Sequence, residues 1–248
     1  MKTFEYSGTK SIVVSGDIHG EFTELVFRLC DRYGMTDTLV IVAGDCGFGF
    51  EKPGYYEQVY RRIKGKLNRS NNWVVMLRGN HDDPSYFNDE KVCYDRFRCV
   101  PDYTVLKACG RQILCVGGAV SVDRSSRSVG RNYWEDERPV FDAGKLLEIS
   151  SECRIDTVIT HTAPSFCEFV TKTGLESWLE KDPSLTFDCK EEREEIDKMF
   201  DFLKQTGHPL SHWFYGHFHH SWTSCIDCIL YSMLDIMEFK ELSGLDII

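Results

Sequence analysis

Three short apolar runs limit what this chain can fold into more than any other feature. Residues 12–14, 39–43 and 73–77 are rich in β-branched and large apolar residues, and each runs into a glycine within the next two positions. Amphipathic helix patterns separate them. After the first run, Phe22, Leu25, Val26 and Leu29 fall at i, i+3, i+4 and i+7, and Gly34 stops the pattern. After the second, Tyr56, Val59, Tyr60, Ile63 and Leu67 share one helical face. This is a βαβαβ reading, and crossovers of that length predict a largely parallel sheet.

The middle of the chain is less regular. Residues 103–108 and 112–116, split by Cys109-Gly110-Arg111, predict a hairpin. A stretch rich in Gly, Ser and Arg follows, which reads as a long ordered loop inserted at about 117–140. The α/β rhythm then returns. A helix is expected over 142–151 and a strand over 155–160 that ends in His161. A second helix is expected over 191–205, with Ile196, Met199, Phe200 and Leu203 inward and Gly207 and Pro209 beyond its end. Strand 211–215 leads into GHFHH, and 222–239 reads as further strand or hairpin. There is no repeat, linker or low-complexity segment, so 1–248 is expected to be one domain, long enough to bury a substantial core.

Composition excludes some functions. The formal charge of −10 argues against indiscriminate nucleic-acid binding, which needs a basic face. No apolar run approaches a membrane span, and residues 1–11 lack the apolar centre of a signal peptide, so a soluble cytoplasmic protein is expected. Eleven cysteines without framework spacing read as reduced, mostly packed thiols. Cys225 and Cys228 fall in an apparent strand and should point to opposite faces.

The polar motifs fall immediately after the strands. They are Asp17 and His19, Asp45, Asn80 and His81, the isolated His161, and His217 and His219. Ligands of open α/β sheets gather at the carboxyl ends of strands, so these residues should converge although the chain separates them widely. In still-extended chain, residues i and i+2 point the same way and could grip one ion.

The order D-x-H, GD, GNHD, H and GHxH, each block following a strand, resembles the signature of the calcineurin-like metallophosphoesterases. That resemblance implies a four-layer α/β/β/α sandwich covering nearly the whole chain. It implies that Asp17, His19, Asp45 and His219 hold one metal. Asp45 would bridge to a second, held also by Asn80, His161 and His217. His81 would assist the leaving group while a metal-bridged hydroxide attacks phosphorus. Mixed nitrogen and oxygen ligation suits Mn, Fe, Zn, Co or Ni better than Ca or a Mg-only site. With two carboxylates against two divalent ions the centre stays net positive, which suits a phosphorylated small molecule or a nucleotide as substrate.

The chain departs from the Ser/Thr phosphatases of that family, which carry GD-x-x-DRG. Here the text is GDCGFGF, with Phe48 where their Asp orients the catalytic His and Gly49 where their Arg grips phosphate. Asp82 or Asp83 is the expected substitute partner of His81. The 117–137 segment resembles an insertion of a bacterial and phage-associated branch. From it Arg124 and Arg131 are expected to hold substrate phosphate, with Trp134 walling the pocket. Arg127 is a third cation the same segment offers for phosphate, and the alternative is a surface loop whose arginines pair with Asp123, Glu135, Asp136 and Glu137. Small phosphodiesters or nucleotides are the expected substrates. A phosphomonoesterase and a metal-free scaffold are the alternatives.

Overall fold

The computed structural model describes residues 1–167 and 175–242. Alternation along the strands sorts its apolar residues into three cores. One sheet runs β13 (Phe239–Leu242), β2 (Ser11–Ser15), β3 (Thr38–Val42), β4 (Trp73–Met76), β6 (Phe97–Cys99) and β5 (Cys93–Tyr94). The other runs β1 (Lys2–Glu5), β7 (Thr104–Ala108), β8 (Arg111–Val116), β9 (Thr157–Thr160), β10 (His212–Tyr215), β12 (Ile229–Met233) and β11 (Trp222–Ile226).

Val40, Val42, Val74 and Met76 face outward, against Phe22, Leu25 and Val26 of α1 (Phe22–Phe27) and Val59, Ile63 and Leu67 of α2 (Tyr55–Ser70). Their sequence neighbours Leu39, Ile41 and Val75 face inward and meet Leu106, Ile113, Cys115, Ile159 and Phe214 of the second sheet. The outer face of that sheet, with Leu114, Val158, Trp213 and Tyr231, is covered by α4 (Ala143–Glu152) and α6 (Leu185–Gln205). Helix, sheet, sheet, helix is the expected four-layer order, because every central strand buries both its faces.

Each sheet is mixed rather than simply parallel. β2, β3, β4 and β6 are parallel, and β13 closes one edge antiparallel to β2. β7 and β8 form the expected hairpin. The short pieces β1, β5, α3 (Ser85–Asn88) and α5 (Leu175–Lys181) carry too few buried residues to leave a periodic signal. Helix α6 begins at Leu185 rather than at 191, because Glu192 occupies one of its buried positions and breaks the apolar period. The reading of Cys225 and Cys228 as one strand needs correction. Cys225 lies in β11, but Asp227 and Cys228 form the tight turn to β12, with φ of 49° and 63°.

Candidate metal and phosphoester site

Five strands deliver their carboxyl ends to one place: β2, β3 and β4 from one sheet, β9 and β10 from the other. After β2, β3 and β10 the chain turns away through left-handed backbone. His19, Asp45, His217 and His219 have φ of 42°, 45°, 69° and 50°, a conformation that costs a non-glycine residue on the order of 1 kcal/mol. The spacing of two brings Asp17 and His19 into one group but does not do so for His217 and His219. His219 sits with Asp17 and His19, whereas the His217 ring lies against His161 with centroids 5.1 Å apart.

Glycine precedes Asp17, Asp45, Asn80 and His217, and at all four positions a Cβ would meet an atom already in place, at two of them a carboxylate of the site itself. A Cβ on Gly79 would come within 2.1 Å of Asp45 Oδ1 and 2.7 Å of His161 Nε2. One on Gly216 would come within 2.1 Å of Asp17 Oδ1. The backbone is packed directly against the polar groups it presents.

Asp17, His19, Asp45 and His219 each bring one nitrogen or oxygen atom into a group whose members all lie within 4.8 Å of one another. His219 Nε2 is 3.1 Å from His19 Nε2 and 3.0 Å from Asp17 Oδ2. Beside them, His161 Nε2 is 3.1 Å from Asp45 Oδ1 and 3.1 Å from Asn80 Oδ1. The supports around these atoms are directional. His161 Nδ1 donates to the Ala43 carbonyl at 2.7 Å, which turns Nε2 inward. Asn80 Nδ2 donates to Ser121 Oγ at 3.0 Å, and Ser121 Oγ donates to Glu137 at 2.6 Å, which turns Asn80 Oδ1 inward. Asp17 Oδ1 accepts from His217 N–H, and Asp45 Oδ1 from His81 N–H.

These residues fit a cation. Asp17 Oδ2 is buried without a donor in hydrogen-bonding geometry, and the inward atoms of His161, Asn80 and Asp45 are all acceptors once His161 donates through Nδ1. Burial opposes charge on His161, yet the carboxylates of Asp45 and Asp17 outweigh it and push its pKa up to about 10. A pocket that draws a proton onto a fully buried imidazole is short of positive charge. Borderline nitrogen and oxygen donors without a thiolate are the set a divalent transition metal takes.

The family model for calcineurin-like phosphoesterases matches residues 10–221, from the start of β2 to beyond the GHxH motif. The chain belongs to that family. Among curated protein sequences none matches it significantly. Similar solved structures include two hydrolases. One is a protein serine/threonine phosphatase from Saccharomyces cerevisiae, 14% identical, with 95% of this chain and 70% of that one covered and a TM-score of 0.38. The other is the phosphopantetheinyl hydrolase of Mycobacterium tuberculosis, 12% identical, with 91% and 90% covered and a TM-score of 0.39. As a calcineurin-like phosphoesterase the chain is a metal-dependent phosphoester hydrolase. None of its described helices is long and apolar enough to cross a membrane.

The loop that carries the expected substrate arginines is anchored at many points in this phosphoesterase. Arg124 donates to Asp182 at 2.7 Å, to Asp188 at 2.5 Å and to Ser184 at 2.7 Å, so its guanidinium is committed to the start of α6. Arg131 is exposed. Trp134 is half-buried against Gly49, whose Cβ, if it had one, would lie 2.8 Å from Cζ2 of the indole. Phe50 meets Trp134 edge-on at 5.5 Å and lies 6.5 Å from the His81 ring, 24° from parallel to it. Phe48 and Tyr56 belong to the core instead.

Neither acidic neighbour of His81 touches its ring. Asp82 accepts from the backbone N–H groups of Cys46, Gly47, Phe48 and Gly79, and so shapes the loop that carries Asp45. Asp83 accepts from Ser85 N–H. The side chain that meets the His81 ring is Arg127, with Nη2 at 2.5 Å from Nε2. Burial first, and then the Arg127 charge, lower the pKa of His81 against the opposing pull of Asp45. In the sequence Arg127 is one loop cation among three, because nothing in its spacing sets it apart. Sequence reasoning also missed Arg78, which is buried and ties Asp102 to the carbonyls of Asp136, Glu137 and Arg138. Its one signal was a cation immediately before Gly79-Asn80.

Proposed function

We propose that this phosphoesterase holds two divalent ions, chosen among Mn, Fe, Zn, Co and Ni, and hydrolyses small phosphodiesters or nucleotide-type esters. Asp17, His19, Asp45 and His219 hold one ion. Asp45, Asn80, His161 and His217 hold the other. The observation that supports the reading is the meeting of Asp17, His19, Asp45 and His219 within 4.8 Å of one another, with His161 and Asn80 beside Asp45, the His217 ring against His161, and no thiolate among them. When bound, such ions supply Lewis-acid charge for the phosphoryl oxygens and lower the pKa of a coordinated water toward neutrality.

The chain's own groups supply the rest. The Asn80–Ser121–Glu137 relay keeps the Asn80 oxygen, not its NH2, turned inward. His81 stands beside Asp45 through its backbone, with its ring free of carboxylate partners, and acts on the leaving group. The exposed Phe50 and the half-buried Trp134 present flat apolar surface next to His81, which suits a substituted ester better than a bare phosphate.

The test is the ratio of kcat/KM for bis-p-nitrophenyl phosphate to that for p-nitrophenyl phosphate, with Mn²⁺ supplied and metal content measured. A ratio well above one, with two ions per chain, is expected. A ratio well below one identifies a phosphomonoesterase, and no turnover with little bound metal identifies a scaffold. His81→Ala should keep both ions and lose turnover by about 10²–10⁴-fold.

A further inference from the structure

The His81 ring has its polar partner on a remote loop. Arg127 Nη2 lies 2.5 Å from His81 Nε2 and 3.3 Å from Nδ1, and the same nitrogen donates to Asp123 Oδ2 at 2.8 Å. Arg127 Nη1 donates to the Asn132 carbonyl at 3.2 Å, and the Arg127 side chain is only 7% exposed. A guanidinium has no acceptor and does not lose its proton, so an imidazole nitrogen can bond it only as an acceptor. The segment that carries this cation is held at both ends. Arg124 grips Asp182 and Asp188, Ser121 is bound to Glu137, and Arg78 holds the carbonyls of residues 136–138.

We propose that Arg127, braced by Asp123, is the positioning residue for His81 and the fixed cation on the leaving-group side of the site. This rests on the phosphoesterase reading above and adds a specific device to it. In hydrolysis the P–O bond to the leaving group breaks as the bond to water oxygen forms, its electron pair departs on the leaving oxygen, and one proton passes, net, from the water to that oxygen. A cation that is already in place and needs no reorganisation contributes most when that charge is large, which is with a poor leaving group. Arg127 and His81 therefore act as a unit whose loss is graded by leaving-group quality.

The experiment compares wild type, Arg127→Ala, Arg127→Lys and Asp123→Asn on a p-nitrophenyl ester and the corresponding phenyl ester, with metal content and melting temperature measured alongside. Arg127→Ala should lower kcat by about 100-fold on the phenyl ester and about tenfold on the p-nitrophenyl ester, with metal content unchanged. Added guanidinium ion should restore part of the loss, and Asp123→Asn should show a weaker form of the same grading. In the zinc-loaded protein, ¹⁵N spectra should show His81 Nε2 unprotonated, and that signal should move in Arg127→Ala and less in Arg127→Lys. Equal losses on both esters, with a fall in metal content or melting temperature, would reduce Arg127 to a loop anchor and overturn the proposal. So would unchanged kinetics in a stable variant. A wild type inactive on every ester would overturn the phosphoesterase reading as well, and the unaltered His81 spectrum of Arg127→Ala would separately remove the positioning role.

Discussion

At Gly79 the space for one methyl group decides whether the site can form. A Cβ there would press on Asp45 and His161 together, at 2.1 and 2.7 Å, and neither can retreat from a fully buried position. Gly65, in the middle of α2, is the contrast, since its Cβ would meet only the end of Arg69 at 3.5 Å. Gly79→Ala should lose bound metal and at least 100-fold in turnover, a loss comparable to removing a catalytic group. Gly65→Ala should leave both intact and stabilise the fold by about 0.5–1 kcal/mol. Metal analysis and urea melts of the two variants check this. If Gly79→Ala binds metal normally, the packing argument fails. At this scale the sequence picked out the residues that the fold gathers at the strand ends, because strand-end Asp, Asn and His are legible as types. Spacing did not show how they group; the family resemblance did, and the cluster of Asp17, His19, Asp45 and His219 matches the first group it implied. The left-handed φ at His19, Asp45, His217 and His219 redirects their side chains, so parity along an extended chain no longer predicts which residues share an ion.

Helix α6 illustrates what an element conceals. Its buried face includes Glu192, whose carboxylate accepts from Val120 N–H at the root of the inserted loop and from the Thr162 hydroxyl next to His161. A charged residue at a core position broke the apolar period and hid the start of the helix. The same burial pushes the Glu192 pKa from the ordinary 4.5 up to about 7, against the pull of its two donors. The folded state thus holds the proton that the unfolded chain releases first. The stabilisation from Glu192 is complete below about pH 4.5 and is lost as pH rises towards 7, at no more than about 1.4 kcal/mol per pH unit. Glu192→Gln mimics the protonated side chain. It should match wild type near pH 4.5 and become progressively more stable than wild type up to about pH 7, as read from denaturant melts at fixed metal concentration. Parallel curves across that range would show that Glu192 does not titrate with folding.

Across the whole molecule, the candidate metal centre joins the carboxyl ends of strands from two sheets that also share the apolar layer around Ile41, Val75, Ile159 and Phe214. Ions bound there cross-link the sandwich at one end. Chelation should lower the melting temperature, and metal at about 1,000 times its Kd should restore about 4 kcal/mol, on the order of 10 °C for a domain of this size. A melting curve indifferent to chelator, from protein shown to have carried metal, would contradict this. The sequence by itself determined the central strands β2, β3, β4 and β7 to β10, their order with the main helices, the four-layer sandwich through its family resemblance, and the residue types at the strand ends. These follow from local periodicity and from motif order, which a linear text preserves. Only the tertiary structure decided that Arg124 is spent on α6, that Asp82 serves the Asp45 loop, and that Arg127 reaches His81. Those pairings join residues whose separation along the chain carries no period, and only the packing of the layers sets the distances between them.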